Sequence, residues 1–158
     1  MAFKILKKLI SLNYNYYLNC IGKLNYDEKK FLLNENLLKR VKLYNNIRNV
    51  KKKRIFQSSR CLIVTSIYEG YGFPILEAYS LKVPVVSSNK GSLKEICTPF
   101  SMVKKYNVLN YVKKILIIDK NIFLRNKIIK KNTIILRKIN NVKNYKLFYK
   151  NIYTNILR

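Results

Sequence analysis

The sequence predicts an α/β fold, a doubly wound parallel sheet with helices on its faces, and three observations carry that expectation. Short strand patterns alternate with helical patterns along the chain. Two of the strand patterns, Cys61-Leu62-Ile63-Val64-Thr65 and Pro84-Val85-Val86-Ser87-Ser88, are short and mostly apolar, as strands covered on both faces require. The length, 158 residues with 49% hydrophobic side chains, suits one core rather than several, and a chain of this size buries roughly 68–70% of its extended surface.

The elements follow in order. Residues 2–12 place Phe3, Leu6, Leu9 and Ile10 at helical spacing with Lys4, Lys7 and Lys8 opposite, which reads as an amphipathic helix covering a sheet. Tyr14 to Ile21 is rich in Tyr and Leu and stops at Gly22, so a buried strand is expected there. Asp27 and Glu28 then lie in the first turn of a helix expected over 27–38, where negative charge suits the helix dipole. A strand at Val41–Tyr44, a short basic helix over 51–59 and the Cys61–Thr65 strand come next. A helix opens at Phe73 or Pro74, the Pro84–Ser88 strand follows, and a helical turn covers Ser92–Ile96. A weak strand is expected at Phe100–Val103 and a helix at about 107–118. From 121 onward the chain is basic and helical, with Ile128, Ile129, Ile135, Leu136 and Ile139 as its apolar face. The chain accordingly divides into an α/β region, residues 1–120, and basic C-terminal helices, 121–158.

Charge and rare residues narrow the chemistry. The formal charge is +26, from 33 Lys and Arg against 7 Asp and Glu. Such a field attracts anionic lipid, phosphorylated ligands or nucleic acid. The lysines are spread among Asn, Ile and Tyr, as a compositional bias would spread them, and no arginine-rich block or RNA-binding motif is present, so nucleic acid is disfavoured. Cys20, Cys61 and Cys97 are far apart and odd in number, which fits a reduced, cytoplasmic compartment with peripheral attachment to an anionic inner membrane face left open. The absence of histidine removes the commonest metal ligand and general base, so no metal is expected. Chemistry here runs on carboxylates, backbone amides and cations.

Those scarce residue types are concentrated. The chain has 7 acids, 4 glycines and 3 prolines, and nine of them fall in the 31 residues from Glu69 to Pro99. The core of the cluster is Glu69-Gly70-Tyr71-Gly72-Phe73-Pro74-Ile75-Leu76-Glu77, between an apolar strand and a helix. In open parallel sheets ligands bind beyond the carboxyl ends of strands, beside helix N-termini. Gly70 and Gly72 let the backbone adopt positive φ and approach a ligand, so the amides of Tyr71, Gly72 and Phe73 can face a phosphate. The helix dipole adds about 0.3–1 kcal/mol to such an anion site. Glu69 and Glu77 would repel phosphate and suit neutral hydroxyls instead, through charge-assisted bonds of ~1.5–3 kcal/mol each. A phosphate cradle with hydroxyl acceptors on either side implies a sugar-phosphate ligand.

Residues 61–96, with paired glutamates around a glycine loop and the Pro-Val-Val-Ser-Ser strand in register, resemble the donor-binding domain of retaining GT-B glycosyltransferases of family 4, the group 1 glycosyl transferases. The resemblance implies a Rossmann-like sheet and transfer of a sugar, with retention of configuration, from a nucleotide-diphosphate sugar to a glycan or lipid-linked acceptor. It implies that Glu69 is catalytic and contacts the transferred sugar, that Gly70, Tyr71, Gly72 and Phe73 hold sugar and diphosphate oxygens, and that Glu77 binds the ribose hydroxyls. Ser88, Gly91 and Ser92 are candidates for a loop near the donor phosphates, and Glu95 reads as a helix-face carboxylate. Tyr68 and Tyr71 read as packing residues. No cofactor is implied, the nucleotide sugar being the donor substrate.

The resemblance covers about residues 2–118 and, more weakly, the tail through Tyr153. It begins at the helix after the first strand of the donor domain, so the first strand, its cationic loop and an amino-terminal acceptor-binding domain are expected to be missing, and a separate acceptor-binding domain or subunit is the implied partner. Lys82 stands where relatives have glycine, at a cost of ~1 kcal/mol for a left-handed cap, and Lys94 stands where they often have proline. The alternatives to an active donor half are an inactive truncated fragment and a basic protein that binds membrane or nucleic acid.

Overall fold

The computed structural model describes residues 1–139. The part of the expected basic helical tail from 140 to 158 lies outside them.

Helix α1 (Ala2–Ser11) forms from the predicted amphipathic stripe and buries Phe3, Ile5, Leu6 and Leu9. Strand β1 (Leu18–Ile21) pairs in parallel with β2 (Val41–Tyr44), Leu18 opposite Val41. Between them lies α2 (Tyr26–Asn34), begun by a reciprocal cap in which the Asn25 side chain accepts from the Glu28 amide at 2.8 Å and Glu28 accepts from the Asn25 amide at 3.0 Å. Helix α3 (Asn49–Ser58) leads to β3 (Leu62–Val64), α4 (Phe73–Ser80) and β4 (Val85–Ser87), the second parallel pair, with Leu62 opposite Val85. The short α5 (Leu93–Ile96), α6 (Val108–Lys120) and α7 (Ile122–Ile139) complete the described chain.

Strand periodicity divides the core into layers. Val64 and Val85 face Phe56, Ile75, Ala78, Tyr79 and Leu93, with Ile135, Leu136 and Ile139 of α7 packed against them. Val86 and Ile63 face the other way, toward Ile5 and Leu9 of α1 and Tyr111, Val112 and Ile115 of α6. Phe3, also on α1, turns instead to Leu32 and Leu37 beside β1. Helix α1 therefore straddles both strand pairs, as its expected role of covering a sheet requires. Among the described residues no helix is long and apolar enough to cross a membrane.

The expected parallel strands are present as two pairs, β1–β2 and β3–β4. Several other expectations need correction. The Tyr14–Ile21 run is strand only from Leu18, because Tyr14 and Tyr16 turn their hydroxyls to Lys120 and Asp119 on α6. The helix expected to reach 38 stops at Asn34, where Asn36 takes φ 52 and a single 3-10 turn (Leu38–Arg40) follows. The strand expected at Phe100–Val103 reduces to one bridge between Ser87 and Met102. Leu62 and Ile63 are only half-buried, although their run reads as covered on both faces.

Candidate functional site

The chain leaves β3 at Val64, crosses the glycine loop and enters α4, the strand–loop–helix path that the sequence implies. Gly72 caps α4 at φ 70, a left-handed conformation that L side chains rarely adopt. A Cβ on Gly72 would lie 2.5 Å from Ile96 Cδ1, the far end of a side chain that can shift, so it is the left-handed backbone that demands glycine. Gly70 differs. Its φ is not positive, and an added Cβ would meet nothing within 4 Å. The expectation of positive φ thus holds at Gly72 and fails at Gly70, whose role here is not conformational.

Glu69 sits beside a small cavity of about 220 Å³ with Thr65, Ser66, Gly72 and Pro74. Its Oε1 accepts a hydrogen bond from the Ser66 hydroxyl at 2.6 Å, which fixes the carboxylate. Four more bonds hold the ends of β3 and the loop in place. Ser88 donates to the Ser66 carbonyl at 2.8 Å and Ser92 to the Glu69 carbonyl at 2.7 Å. Tyr106 donates to the Thr65 carbonyl at 2.7 Å and Tyr111 to the Val64 carbonyl at 2.9 Å. The hydroxyls of Ser88 and Ser92 are thus engaged in shaping the loop. Gly91, at φ 52, packs against the same segment, its missing Cβ being 3.4 Å from the Ile67 carbonyl.

Glu77 lies a turn into α4, where its Oε1 pairs with the Lys52 ammonium of α3 at 2.6 Å. Its Oε2 is shut from solvent with no partner, although the side chain as a whole stays 42% exposed. The structure does not bring Glu77 to the small cavity beside Glu69. Phe73 and Tyr71 are exposed, their rings 5.1 Å apart. Tyr68 is 88% exposed, which corrects its reading as a packing residue. Glu95 is an exposed residue of α5, as its helix-face reading expects. Among the described residues no group of three His, Cys, Asp or Glu side chains could hold a metal ion.

Two participants are absent from the sequence reading. Ser66 carries a weak signal, since it directly follows the apolar strand. Lys52 carries none, being one cation in the run Lys51-Lys52-Lys53-Arg54, and only tertiary packing selects it.

The class of protein is set first by architecture, an α/β domain with parallel strands and a strand–glycine loop–helix site of the Rossmann-like kind seen in GT-B glycosyltransferases. The fold matches solved enzymes of that kind: sucrose-phosphate synthase from Thermosynechococcus elongatus at TM-score 0.78, with 17% identity over 98% of this chain and 42% of that one. A TarM variant of S. aureus, solved in complex with fondaparinux, alpha-GlcNAc-glycerol and UDP, gives TM-score 0.78 and 17% identity over 96% of this chain and 32% of that one. At the level of sequence, residues 1–135 match the family described as glycosyl transferases group 1, and the chain belongs to that family. A 53-residue stretch, 34% of the chain, is 43% identical to the O-antigen chain mannosyltransferase B of Escherichia coli. That stretch spans 14% of the mannosyltransferase, and the chain spans less than half of the two solved proteins.

Proposed function

We propose that the chain forms the donor-binding half of a retaining, family 4 glycosyltransferase, taking a nucleotide-diphosphate sugar and delivering its sugar to a glycan or lipid-linked acceptor bound by a further domain or subunit. The observation that carries the reading is the left-handed Gly72 cap at the mouth of α4, set between two partly buried carboxylates, Glu69 and Glu77. The Gly72 and Phe73 amides and the α4 dipole favour diphosphate oxygens. Glu69, pinned by Ser66, meets the sugar. Glu77 meets the ribose: its unpartnered Oε2 carries a penalty of about 1–3 kcal/mol, and a hydroxyl donor is the partner it lacks. UDP in the TarM complex and the mannosyltransferase likeness support a nucleotide-sugar donor.

In the proposed reaction the bond from the anomeric carbon to the diphosphate oxygen breaks while the acceptor oxygen bonds to the same face. The acceptor proton passes to the leaving diphosphate, and a nucleoside diphosphate departs. No protein nucleophile is needed, and Glu69 supports the positive charge that develops on the sugar.

Calorimetric titration with UDP, GDP and ADP tests the assignment. One of the three should bind, Glu77→Ala should weaken it by at least tenfold, and Glu69→Ala should weaken the corresponding nucleotide sugar but not the bare diphosphate. Failure of all three nucleotides to bind, or indifference to Glu77→Ala, would overturn it.

A further inference from the structure

Helix α3 carries four cations in succession, Lys51-Lys52-Lys53-Arg54, and the fold treats one of them differently. Lys51, Lys53 and Arg54 are exposed, and the Lys51 ammonium lies over the Tyr44 ring at 5.5 Å from its centre. Lys52 is half-buried and, among the described residues, is the one of the four in an ion pair, its Nζ 2.6 Å from Glu77 Oε1. Residues four apart share a helix face. Phe56, four residues on from Lys52, is buried in one cluster with Ile75, Ala78 and Tyr79 of α4. The packing of α3 on α4 thus delivers Lys52 to a carboxylate 25 positions away in sequence. Lys52 and Pro74 also line a cavity of about 970 Å³ that opens between β1 and β3, with Cys20 and Cys61 in its walls.

A free glutamate side chain samples many rotamers, and ordering it for a ligand costs entropy at the moment of binding. The Lys52 bond holds Oε1 in advance, which leaves Oε2 as the open acceptor, shut from solvent and without a partner. From this pairing we infer that Lys52 is a positioning residue: it orients Glu77 so that Oε2 meets a ribose hydroxyl of the bound nucleotide, an assignment that rests on the reading of Glu77 given above. The ammonium also offsets the charge of Glu77, so the carboxylate repels a neighbouring diphosphate less. Lys52 acts through Glu77 and makes no contact of its own with the nucleotide. Its effect on affinity therefore disappears when either the carboxylate or the ribose hydroxyls are removed.

The test is a double-mutant cycle on the full chain, read by calorimetry with the best-binding of UDP, GDP and ADP and with the 2′,3′-dideoxy form of the same diphosphate. Titrations run at ~0.5 M salt, where general attraction to the basic surface is screened. Lys52→Met should weaken the ribose form by about tenfold. Lys52→Arg keeps a charged donor and should stay within about threefold of the native chain. In a Glu77→Ala background Lys52→Met should cost nothing further, because the two residues act as one unit. The native chain should prefer the ribose form to the dideoxy form, and Lys52→Met should bind the two alike. If Glu77→Ala leaves affinity unchanged, the reading of Glu77 fails and the role of Lys52 falls with it. If Glu77→Ala weakens binding but Lys52→Met does not, the role of Lys52 alone is overturned. A loss that persists in the Glu77→Ala background overturns it as well, since Lys52 would then touch the nucleotide directly. So does loss of the folded circular dichroism signal on Lys52→Met, which would make the pair a support of the fold.

Discussion

The two parallel strand pairs are built from similar sequence material and end in different physical states. Around β3–β4, core side chains cover both faces, and the chain beyond β3 is tied down by hydroxyls from four distant positions, Ser88, Ser92, Tyr106 and Tyr111. Around β1–β2, a cluster of three fully or nearly buried side chains, Phe3, Leu32 and Leu37, holds one face, and the inner edge opens on a cavity. The difference teaches that the glycine loop owes its shape to contacts far away in sequence as well as to its own left-handed Gly72. It also places the less covered side of the fold at the inner edge of β1.

Substitutions can break this contrast, and the largest effect is expected at Gly72. Gly72→Ala strains a left-handed residue and pushes the end of the Ile96 side chain aside, so it should destabilise by about 2 kcal/mol in urea titrations. Gly70→Ala, with open space around it, should change stability by less than about 0.5 kcal/mol. Next comes Tyr111→Phe, which leaves the buried Val64 carbonyl without its side-chain donor and should cost about 1–2 kcal/mol by the same measurement.

Alkali should act on the β1–β3 gap. Burial raises the Cys20 and Cys61 thiols from 9.0 to about 11 and about 12, so the native chain keeps protons that the unfolded chain has lost. That stability is complete below pH 9.0 and is lost as pH rises toward about 12. Urea midpoints should therefore fall across this window, and Cys61→Val should flatten the fall. The smallest effect is a gain. Lys82 takes φ 58 at the end of α4, where the Lys82 amide bonds to the Tyr79 carbonyl and the Val83 amide to the Ala78 carbonyl. Lys82→Gly should stabilise by about 0.5–1 kcal/mol, raising the thermal midpoint.

Much of the molecule is legible in the sequence where local chemistry decides the outcome. The apolar stripe of α1, the Asn25–Glu28 cap and the Gly72 cap are set by residues within a few positions of each other. The left-handed Lys82 was readable through the resemblance, because it stands where relatives have glycine. Lys52 was not, because four neighbouring cations are chemically alike and packing chooses one of them. The exposed Tyr68 and the engaged hydroxyls of Ser88 and Ser92 depend on which surfaces meet, and periodicity does not record that. The Tyr14–Tyr17 stretch reads as strand by composition, and distant partners on α6 hold it outside one.

The contrast rests on the claim that the Glu69–Glu77 segment is a specific nucleotide-diphosphate site rather than one more basic region of a highly charged surface. The direct test is the affinity of the best-binding nucleoside diphosphate for the native chain and for Glu77→Ala, measured by calorimetry at low salt and again at ~0.5 M, where attraction to exposed lysines is screened. A specific site predicts that the loss on Glu77→Ala, tenfold or more, persists at high salt. Equal binding by both proteins, or affinity that vanishes as salt rises, would contradict it.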